Sequence, residues 1–395
     1  MTEVFHQVLL LCLAVLMLAL PNSASAEWRL SDICPAGFRP DQGRCYLQSL
    51  YGNYASLQNS GVGGLKTGLP PLREGFTPQQ IDLGRLMFFD PLLSGDGTLA
   101  CSSCHQPSKG FADGRGVSVG INGQLAHRSA PSLWNVGFLK RLFWDARASS
   151  LEAQMEGPLY SPVEMGNSRD NLLKSLQQSD HYPSLFKQAY GDSIISLDRI
   201  YTAITAFEAS LVSLNSRYDL YANGVHEVLN SDEIEGMNVF RSFVARCAEC
   251  HTPPAFTNQQ IAVLGTPEPD GQPLDSGAQG VSGDASQRGG FKVPTLRNIE
   301  LSAPYMHSGR FKTLRETVAF YTGGRGHAVP AGEKLSLHWH IWEPNLSDRE
   351  LDLLVAFLKT LTDESFMPQL PSAVPSGLKA VGVTASTMSN LDAEH

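Results

Sequence analysis

The feature that most restricts what this chain can fold into is a five-residue pattern that occurs twice, Cys101-Ser-Ser-Cys104-His105 and Cys247-Ala-Glu-Cys250-His251. Three chemical groups fall within one turn of each segment. Two thiols can form thioethers to the vinyl groups of a haem, and the adjoining imidazole can bind its iron. A thioredoxin-like redox pair requires no histidine beside its second cysteine, and a zinc site wants ligands that this spacing does not offer. Each segment is therefore expected to carry a covalently attached c-type haem, with His105 and His251 as proximal ligands. At 395 residues the chain is long enough for two domains, each with its own core.

The other cysteines place the chain in a compartment. Cys12 lies in the uninterrupted apolar run Val8–Leu20, which is followed by Pro21 and the small residues Ser23-Ala-Ser-Ala26. That is the pattern of a secretory signal cleaved after Ala26, although the first seven residues hold no Lys or Arg. Thirteen residues rise only about 20 Å as a helix, too short for a ~30 Å hydrocarbon core, and no later segment approaches that length. The mature chain is expected in the periplasm or at the cell surface, with no membrane span. Cys34 and Cys45, 11 residues apart, should pair there as a disulfide closing a short loop. A formal charge of −9 without long single-sign runs argues against nucleic-acid binding.

Residues 27–76 read as an irregular, disulfide-stapled extension. Thr77-Pro78 opens a helix expected to reach Phe89 and to lead into the first Cys-x-x-Cys-His segment. Downstream, Ser231 opens a helix with Ile234, Met237, Phe240 and Val244 on one face, leading into the second. Gly84-Arg-Leu-Met-Phe88 is echoed by Gly236-Met-Asn-Val-Phe240, and Phe111-Ala-Asp113 by Phe256-Thr-Asn258, a weak internal duplication. An amphipathic helix through Ile200, Ile204, Phe207 and Leu211 should end near Asn215, which sets the domain boundaries at 77–215 and 216–365. Residues 263–290 read as a long surface loop, and 366–395 as a flexible tail. Ser347-Asp-Arg-Glu350 is a capping box for a last helix. The expected fold is mainly α, as two cytochrome c-like domains with one haem each.

Beyond the two haem segments, the chain carries Phe143-Trp-Asp-Ala-Arg147, Leu151-Glu-Ala-Gln-Met-Glu-Gly-Pro158, Val163-Glu-Met165, Phe291-Lys-Val-Pro-Thr-Leu-Arg-Asn298 and Ala303-Pro-Tyr-Met-His-Ser-Gly309. In that order, over roughly residues 77–362, these resemble the bacterial di-haem cytochrome c peroxidase superfamily, and within it the MauG-like branch. The resemblance implies that peroxide reacts at haem 1, giving a high-valent iron state shared with haem 2. Typical peroxidases of the superfamily cap the resting first iron with a His about 16 residues after the haem His; here Ile121 stands in that stretch, so haem 1 is expected to be open. His127 is nearby and reads as a surface histidine.

The same matching assigns the other candidates. Glu164, in apolar company, resembles the acid–base residue of peroxide cleavage, Gln154 its hydrogen-bonding partner and Pro158 a wall of the pocket. Ser149-Ser-Leu-Glu152 caps that helix, so Gln154 also reads as an ordinary helix-surface residue. Trp144 resembles a relay between the haems, or plain core. Tyr321 shares a helix face with Leu314 and Val318 and reads either as a core tyrosine or, by the resemblance, as the axial ligand of haem 2, where typical peroxidases have Met. Met306 is a weaker alternative, better read as packing. A calcium ion would match Ser129, Ser302 and the Pro304 carbonyl, where relatives usually offer Asn and Thr. His338 and His340 alternate with Trp339 and Trp342 nearby, and receive no assignment.

Three functions compete. One is a MauG-like peroxidase that uses hydrogen peroxide to oxidise Trp or Tyr side chains of an exported partner protein. The second is a cytochrome c peroxidase fed by a small cytochrome or copper protein. The third is a non-catalytic di-haem electron carrier.

Overall fold

The computed structural model describes residues 27–51, 69–339 and 344–383, so the expected signal and its cleavage site, with His340 and Trp342, lie outside the described residues. Strands β1 (Phe38–Asp41) and β2 (Arg44–Leu47) form an antiparallel hairpin in the N-terminal extension, and Cys34 is bonded to Cys45 with a Cα separation of 5.6 Å. Cys45 then bridges to Phe76, which feeds the chain into helix α1 (Pro78–Phe88). Thr77 caps that helix through a reciprocal box with Gln80, and Pro78 takes the first helical position, where its missing N–H costs nothing.

The first half continues with α2 (Cys101–Cys104), α3 (Leu151–Tyr160), α4 (Arg169–Gln177), α5 (Tyr182–Tyr190) and α6 (Leu197–Ser210). Helices α1 and α6 cross in contact, and their apolar faces meet through Leu83, Met87, Ile200 and Ile204, all buried. Gly84 makes the crossing close: a Cβ there would lie 1.8 Å from the Ala203 carbonyl oxygen. The second half holds α7 (Arg217–Ala222), α8 (Ser231–Arg241), α9 (Cys247–Cys250), strand β3 (Ile261–Val263), α10 (Gln279–Ser282), strand β4 (Gly290–Lys292), α11 (Leu314–Phe320) and α12 (Asp348–Lys359). Strands β3 and β4 pair antiparallel. Helix α8 crosses α12 as α1 crosses α6, and a Cβ on Gly236 would lie 2.0 Å from the Leu353 carbonyl oxygen. The structure is mainly helical, and its two halves repeat one design.

Four expectations need correction. Helix α6 ends at Ser210, and Leu211, Val212 and Leu214 continue as buried chain outside any helix or strand. Helix α8 stops at Arg241, so Val244 is not on its inner face; Phe243 and Val244 are 88% and 59% exposed. Residues 263–290 are anchored rather than merely superficial, because Asp275 and Glu268 pair with Arg128 and His307. Residues 366–383 are docked rather than loose. Val374 is buried, Ser376 Oγ donates to Asp90 at 2.7 Å, and Ser102 Oγ donates to the Val381 carbonyl at 2.7 Å. Isolated contacts, some apolar and some hydrogen-bonded, with no helical or strand period, hold this strap, which is why no pattern announced it. Residues 384–395 lie outside the described residues.

Substituting Gly236→Ala should cost at least ~1–3 kcal/mol of stability, since the added methyl meets backbone that cannot swing away. The measurement is the thermal midpoint of the purified holoprotein.

Candidate active site

Each Cys-x-x-Cys helix lasts a single turn and ends on its histidine. His105 N–H donates to the Cys101 carbonyl at 3.0 Å, and His251 N–H to the Cys247 carbonyl at 2.9 Å. The rings are fixed in the same manner. His105 Nδ1 lies 2.9 Å from the Phe111 carbonyl oxygen; His251 Nδ1 lies 3.1 Å from both the Phe256 and Pro294 carbonyl oxygens. A carbonyl can only accept, so Nδ1 carries the proton and Nε2 keeps its lone pair. Burial pushes the His251 imidazole down to about 4, against the upward pull of its carbonyl partners, and lowers His105 too. Both rings are neutral near pH 7. The thiols of Cys101, Cys104, Cys247 and Cys250 are unpaired, and burial pushes Cys104 up to about 11 and Cys247 up to about 12. Two protonated thiols one turn before a neutral, orientated imidazole are a donor set that suits a haem.

The carbonyls that hold the rings come from positions that must bend. Phe111 and Phe256 are fully buried and sit at φ 58° and 53°. These are the two phenylalanines of the sequence echo, and their shared task explains it. The duplication also runs further than the sequence reading detected. Ser129-Ala-Pro131-Ser-Leu-Trp-Asn135 is matched by Lys292-Val-Pro294-Thr-Leu-Arg-Asn298, with both asparagines at positive φ. Asn135 exchanges two hydrogen bonds with the Ser213 backbone, as Asn298 does with Asp363. Loop 142–148 is matched by loop 305–311, each closed by an antiparallel bridge, so that Trp144 and His307 are equivalent residues. The pair Pro-[Ser/Thr]-Leu-x-Asn was the signal that could have revealed this.

Around the first segment, Ile121 N–H donates to the Glu164 carbonyl at 2.8 Å, and the Ile121 side chain lies over Gly166. Glu164 therefore sits against Ile121, in the 117–124 loop, and acts electrostatically on the Cys104 thiol. Gln154 and Pro158 are one helical turn apart on α3, and the N–H of Met165, the residue after Glu164, bonds back to the Pro158 carbonyl at 3.0 Å. The helix cap is Ser150 rather than Ser149, while Glu152 pairs with Arg73. His127 is exposed.

Around the second segment, Tyr321 begins a short turn after α11, as Thr313 and Glu316 cap its start and Gly324 follows its end. Its hydroxyl makes no hydrogen bond among the described residues. Burial, then the nearness of Cys247 and Cys250, raises its pKa. Met306 instead uses its carbonyl, which accepts from Ser129 Oγ at 3.0 Å. That bond engages one calcium candidate with protein, and Ser302 Oγ faces only the Ile299 carbonyl at 3.4 Å, while no cluster of three or more His, Cys, Asp or Glu stands among the described residues.

The halves meet at Trp144. Its Nε1 donates to the Ser129 carbonyl at 2.9 Å, its carbonyl accepts from Lys292 N–H at 2.7 Å, and its ring lies edge-on to His307 at 6.5 Å. Arg128 joins Asp145 at 2.6 Å to Asp275 at 2.7 Å, and His307 Nε2 meets Glu268 at 2.8 Å. The sequence reading missed Arg128, Glu268 and Asp275, since loop residues carry no periodic signature. It also missed the fully buried pair Arg297–Asp219, to which Tyr51 of the N-terminal extension adds its hydroxyl. Arg297 Nη2 donates to the Pro254 carbonyl at 2.6 Å and so braces the loop that presents Phe256.

The family described as di-haem cytochrome c peroxidase matches residues 78–227. Over 326 residues the chain is 35% identical to cytochrome c551 peroxidase of Nitrosomonas europaea, covering 82% of this chain and 92% of that one. It is 34% identical over 306 residues to the methylamine utilization protein MauG of Methylorubrum extorquens, covering 76% and 84%. A crystal structure of a MauG-like protein associated with microbial copper homeostasis superposes with a TM-score of 0.70 at 33% identity, covering 76% of this chain and 95% of that one. Fold and donor sets define a haem-dependent peroxidase that acts on peroxide. The chain belongs to the di-haem cytochrome c peroxidase family.

Burial works to raise the Asp219 carboxyl, but Arg297 together with the Tyr51 and Ser216 hydroxyls outweighs it and holds the group below the usual carboxylate range. A depressed pKa gives stability that is present above about pH 3.9 and lost as pH falls through the folded value. Asp219→Ala should remove ~3–5 kcal/mol, because it leaves a buried guanidinium unpaired. Denaturant titration at pH 7 checks this.

Proposed function

We propose that the chain is an exported di-haem peroxidase of the MauG type, which uses hydrogen peroxide to withdraw electrons from Trp or Tyr side chains of a partner protein. In this reading 77–215 and 216–365 are cytochrome c-like domains. Cys101 and Cys104, and Cys247 and Cys250, hold the two haems as thioethers, with His105 and His251 on the irons. Bound haem supplies the iron at which peroxide is cleaved and the centres that store two oxidising equivalents. The observation that carries the finer reading is Tyr321, whose unbonded hydroxyl lies within electrostatic reach of Cys247 and Cys250. A phenol in this setting loses its proton readily only beside a cation that stabilises the phenolate, and the iron of a bound second haem would supply that charge. Ile121 supports it from the other side, since no imidazole occupies the position from which typical relatives block the first iron.

The chain's own groups then have defined tasks. His105 binds through Nε2, while its Nδ1–H is held by Phe111. Glu164 takes a proton from one peroxide oxygen and returns it to the other, with Gln154 orientating the peroxide and Pro158 walling the pocket. The overall balance is H2O2 + 2 H+ + 2 e− → 2 H2O. Electrons reach the first site past Trp144, whose indole is held on one half of the molecule and whose carbonyl is held by the other. A calcium ion on Ser129, Ser302 and the Pro304 carbonyl would rest on neutral oxygens and water.

A second reading has its own support: the identity to a cytochrome c551 peroxidase, 35%, matches that to MauG, 34%. On this reading a small cytochrome or copper protein supplies the electrons. Mixing purified holoprotein and peroxide with reduced cytochrome, and separately with the exported proteins of the source cell, separates the two. Covalent oxidation of a partner residue, seen by mass spectrometry, supports the first; fast cytochrome turnover without such oxidation sinks it.

Glu164→Gln should slow the reaction with peroxide ~10²–10⁴-fold and leave haem content intact. Stopped-flow absorbance reads this, and an unchanged rate removes Glu164 from the mechanism. Tyr321→Phe should turn the second haem from low-spin to high-spin in the resting visible spectrum.

A further inference from the structure

Four tyrosines pack in or against the apolar core of the first half: Tyr160, Tyr182, Tyr190 and Tyr201. Two of them use their hydroxyls in the ordinary way. Tyr182 donates to the Asp90 carboxylate at 2.8 Å, and Tyr190 to the Arg199 carbonyl at 2.7 Å. Tyr160 and Tyr201 instead bond to each other, oxygen to oxygen, at 2.5 Å. Tyr160 is the last residue of α3, the helix that carries Gln154 and Pro158, and Tyr201 lies on α6, 6% exposed. Burial raises both phenols above their ordinary range, so neither ionises near pH 7.

A bond between two phenols differs in kind from one to a carbonyl. A carbonyl can only accept, whereas each phenol can donate or accept, so a proton can be handed on along the pair. The groups around the pair offer that proton a destination. Glu156 stands one turn before Tyr160 on α3 and acts electrostatically on both phenols. Arg169 pairs with Glu156 at 2.8 Å, and its guanidinium carbon lies 4.9 Å from the centre of the Tyr160 ring. Packed side chains connect the pair to the first haem segment: Cys101 borders the same core that holds Tyr201, Met155 and Leu159.

We propose that Tyr160 and Tyr201 form a further oxidisable site of the enzyme, which yields an electron to the first site once peroxide has oxidised it and no outside reductant is at hand. This rests on Cys101 and Cys104 carrying a haem. One electron leaves the pair and reduces the oxidised first site by one equivalent. One proton leaves with it, across the phenol–phenol bond to the Glu156 carboxylate. The pair becomes one neutral tyrosyl radical beside one intact phenol, and Glu156 becomes a carboxylic acid. The guanidinium over the Tyr160 ring disfavours a radical that keeps its proton, and with it a positive charge, so electron and proton leave together. Oxidising power is thereby moved out of the pocket proposed for Glu164 and Gln154, onto a half-buried side chain at the end of α3.

The test mixes holoprotein with hydrogen peroxide, without reductant, and freezes it for electron paramagnetic resonance while haem absorbance is followed in parallel. The wild type should give a tyrosyl radical, whose signal narrows when the protein is made with ring-deuterated tyrosine. Tyr201→Phe removes the shared bond but keeps the Tyr160 ring, and should lower the radical yield about tenfold, the weight of one hydrogen bond. The double variant, Tyr160→Phe with Tyr201→Phe, should lower it at least as far and bleach its haem faster under excess peroxide, while the initial reaction with peroxide keeps its rate. Glu156→Gln leaves both phenols and the core in place and should slow radical formation at least about tenfold, so the proposal stays open to disproof even where a core variant folds poorly. A full radical yield in the double variant would overturn the proposal. So would a wild type whose absorbance responds to peroxide without any tyrosyl radical, a result that leaves the peroxidase assignment standing.

Discussion

A histidine next to two cysteines is a useful iron ligand only when its ring cannot turn, and here a single hydrogen bond type prevents it. In both halves Nδ1–H is held by a main-chain carbonyl, from Phe111 in one and from Phe256 and Pro294 in the other. Those carbonyls face inward only because the two phenylalanines adopt positive φ, a conformation that a buried aromatic side chain keeps when packing over-determines it. Phe256 packs against Tyr218, Phe240 and Phe357, and Phe111 against Phe88 and Trp134. The crossing of α1 with α6, and of α8 with α12, fixes those rings in turn. The order of dependence runs from the glycine-mediated helix crossing, through the aromatic cluster and the bent carbonyl, to the imidazole.

That order explains what could be read from the sequence. The paired motifs, the capping boxes at Thr313 and Ser347, and the glycines before each haem segment act through local spacing, and local spacing is visible in a one-dimensional string. Thr77 with Gln80 and Pro78 belongs to the same class. What was not legible depends on which distant residues meet. Nothing local to Glu268 or Asp275 says that each will find a cation on another segment. Nothing local to Val374 or Val381 says that the strap will return to Phe89 and Ser102. The misplacement of Val244 is of another kind: the apolar spacing was real, but the helix stops three residues earlier, and spacing carries no meaning beyond a helix end.

The junction shows why duplication followed by divergence suits a two-centre redox protein. Equivalent backbone bonds from Ser129 and Lys292 hold the halves in a reciprocal grip, and equivalent loops present Trp144 and His307 to each other. The frame thus fixes geometry by main-chain contacts, which tolerate substitution. Side chains at the same positions are free to differ in redox and acid–base character: an oxidisable indole faces an imidazole paired with Glu268.

The asymmetry also constrains where stability can be placed. The second half encloses Arg297 and Asp219 with no exposure, and this pair braces the loop behind His251. The first half has Trp134 in the equivalent place, with its indole nitrogen unpaired, and encloses Glu208, whose carboxyl burial and Glu152 push up to about 8. A raised carboxyl contributes stability below its unfolded pKa and loses it as pH rises through the folded value. The halves therefore respond oppositely at their extremes. Acid attacks the Asp219 pair, whereas the stability held by the protonated Glu208 carboxyl declines as pH rises towards about 8.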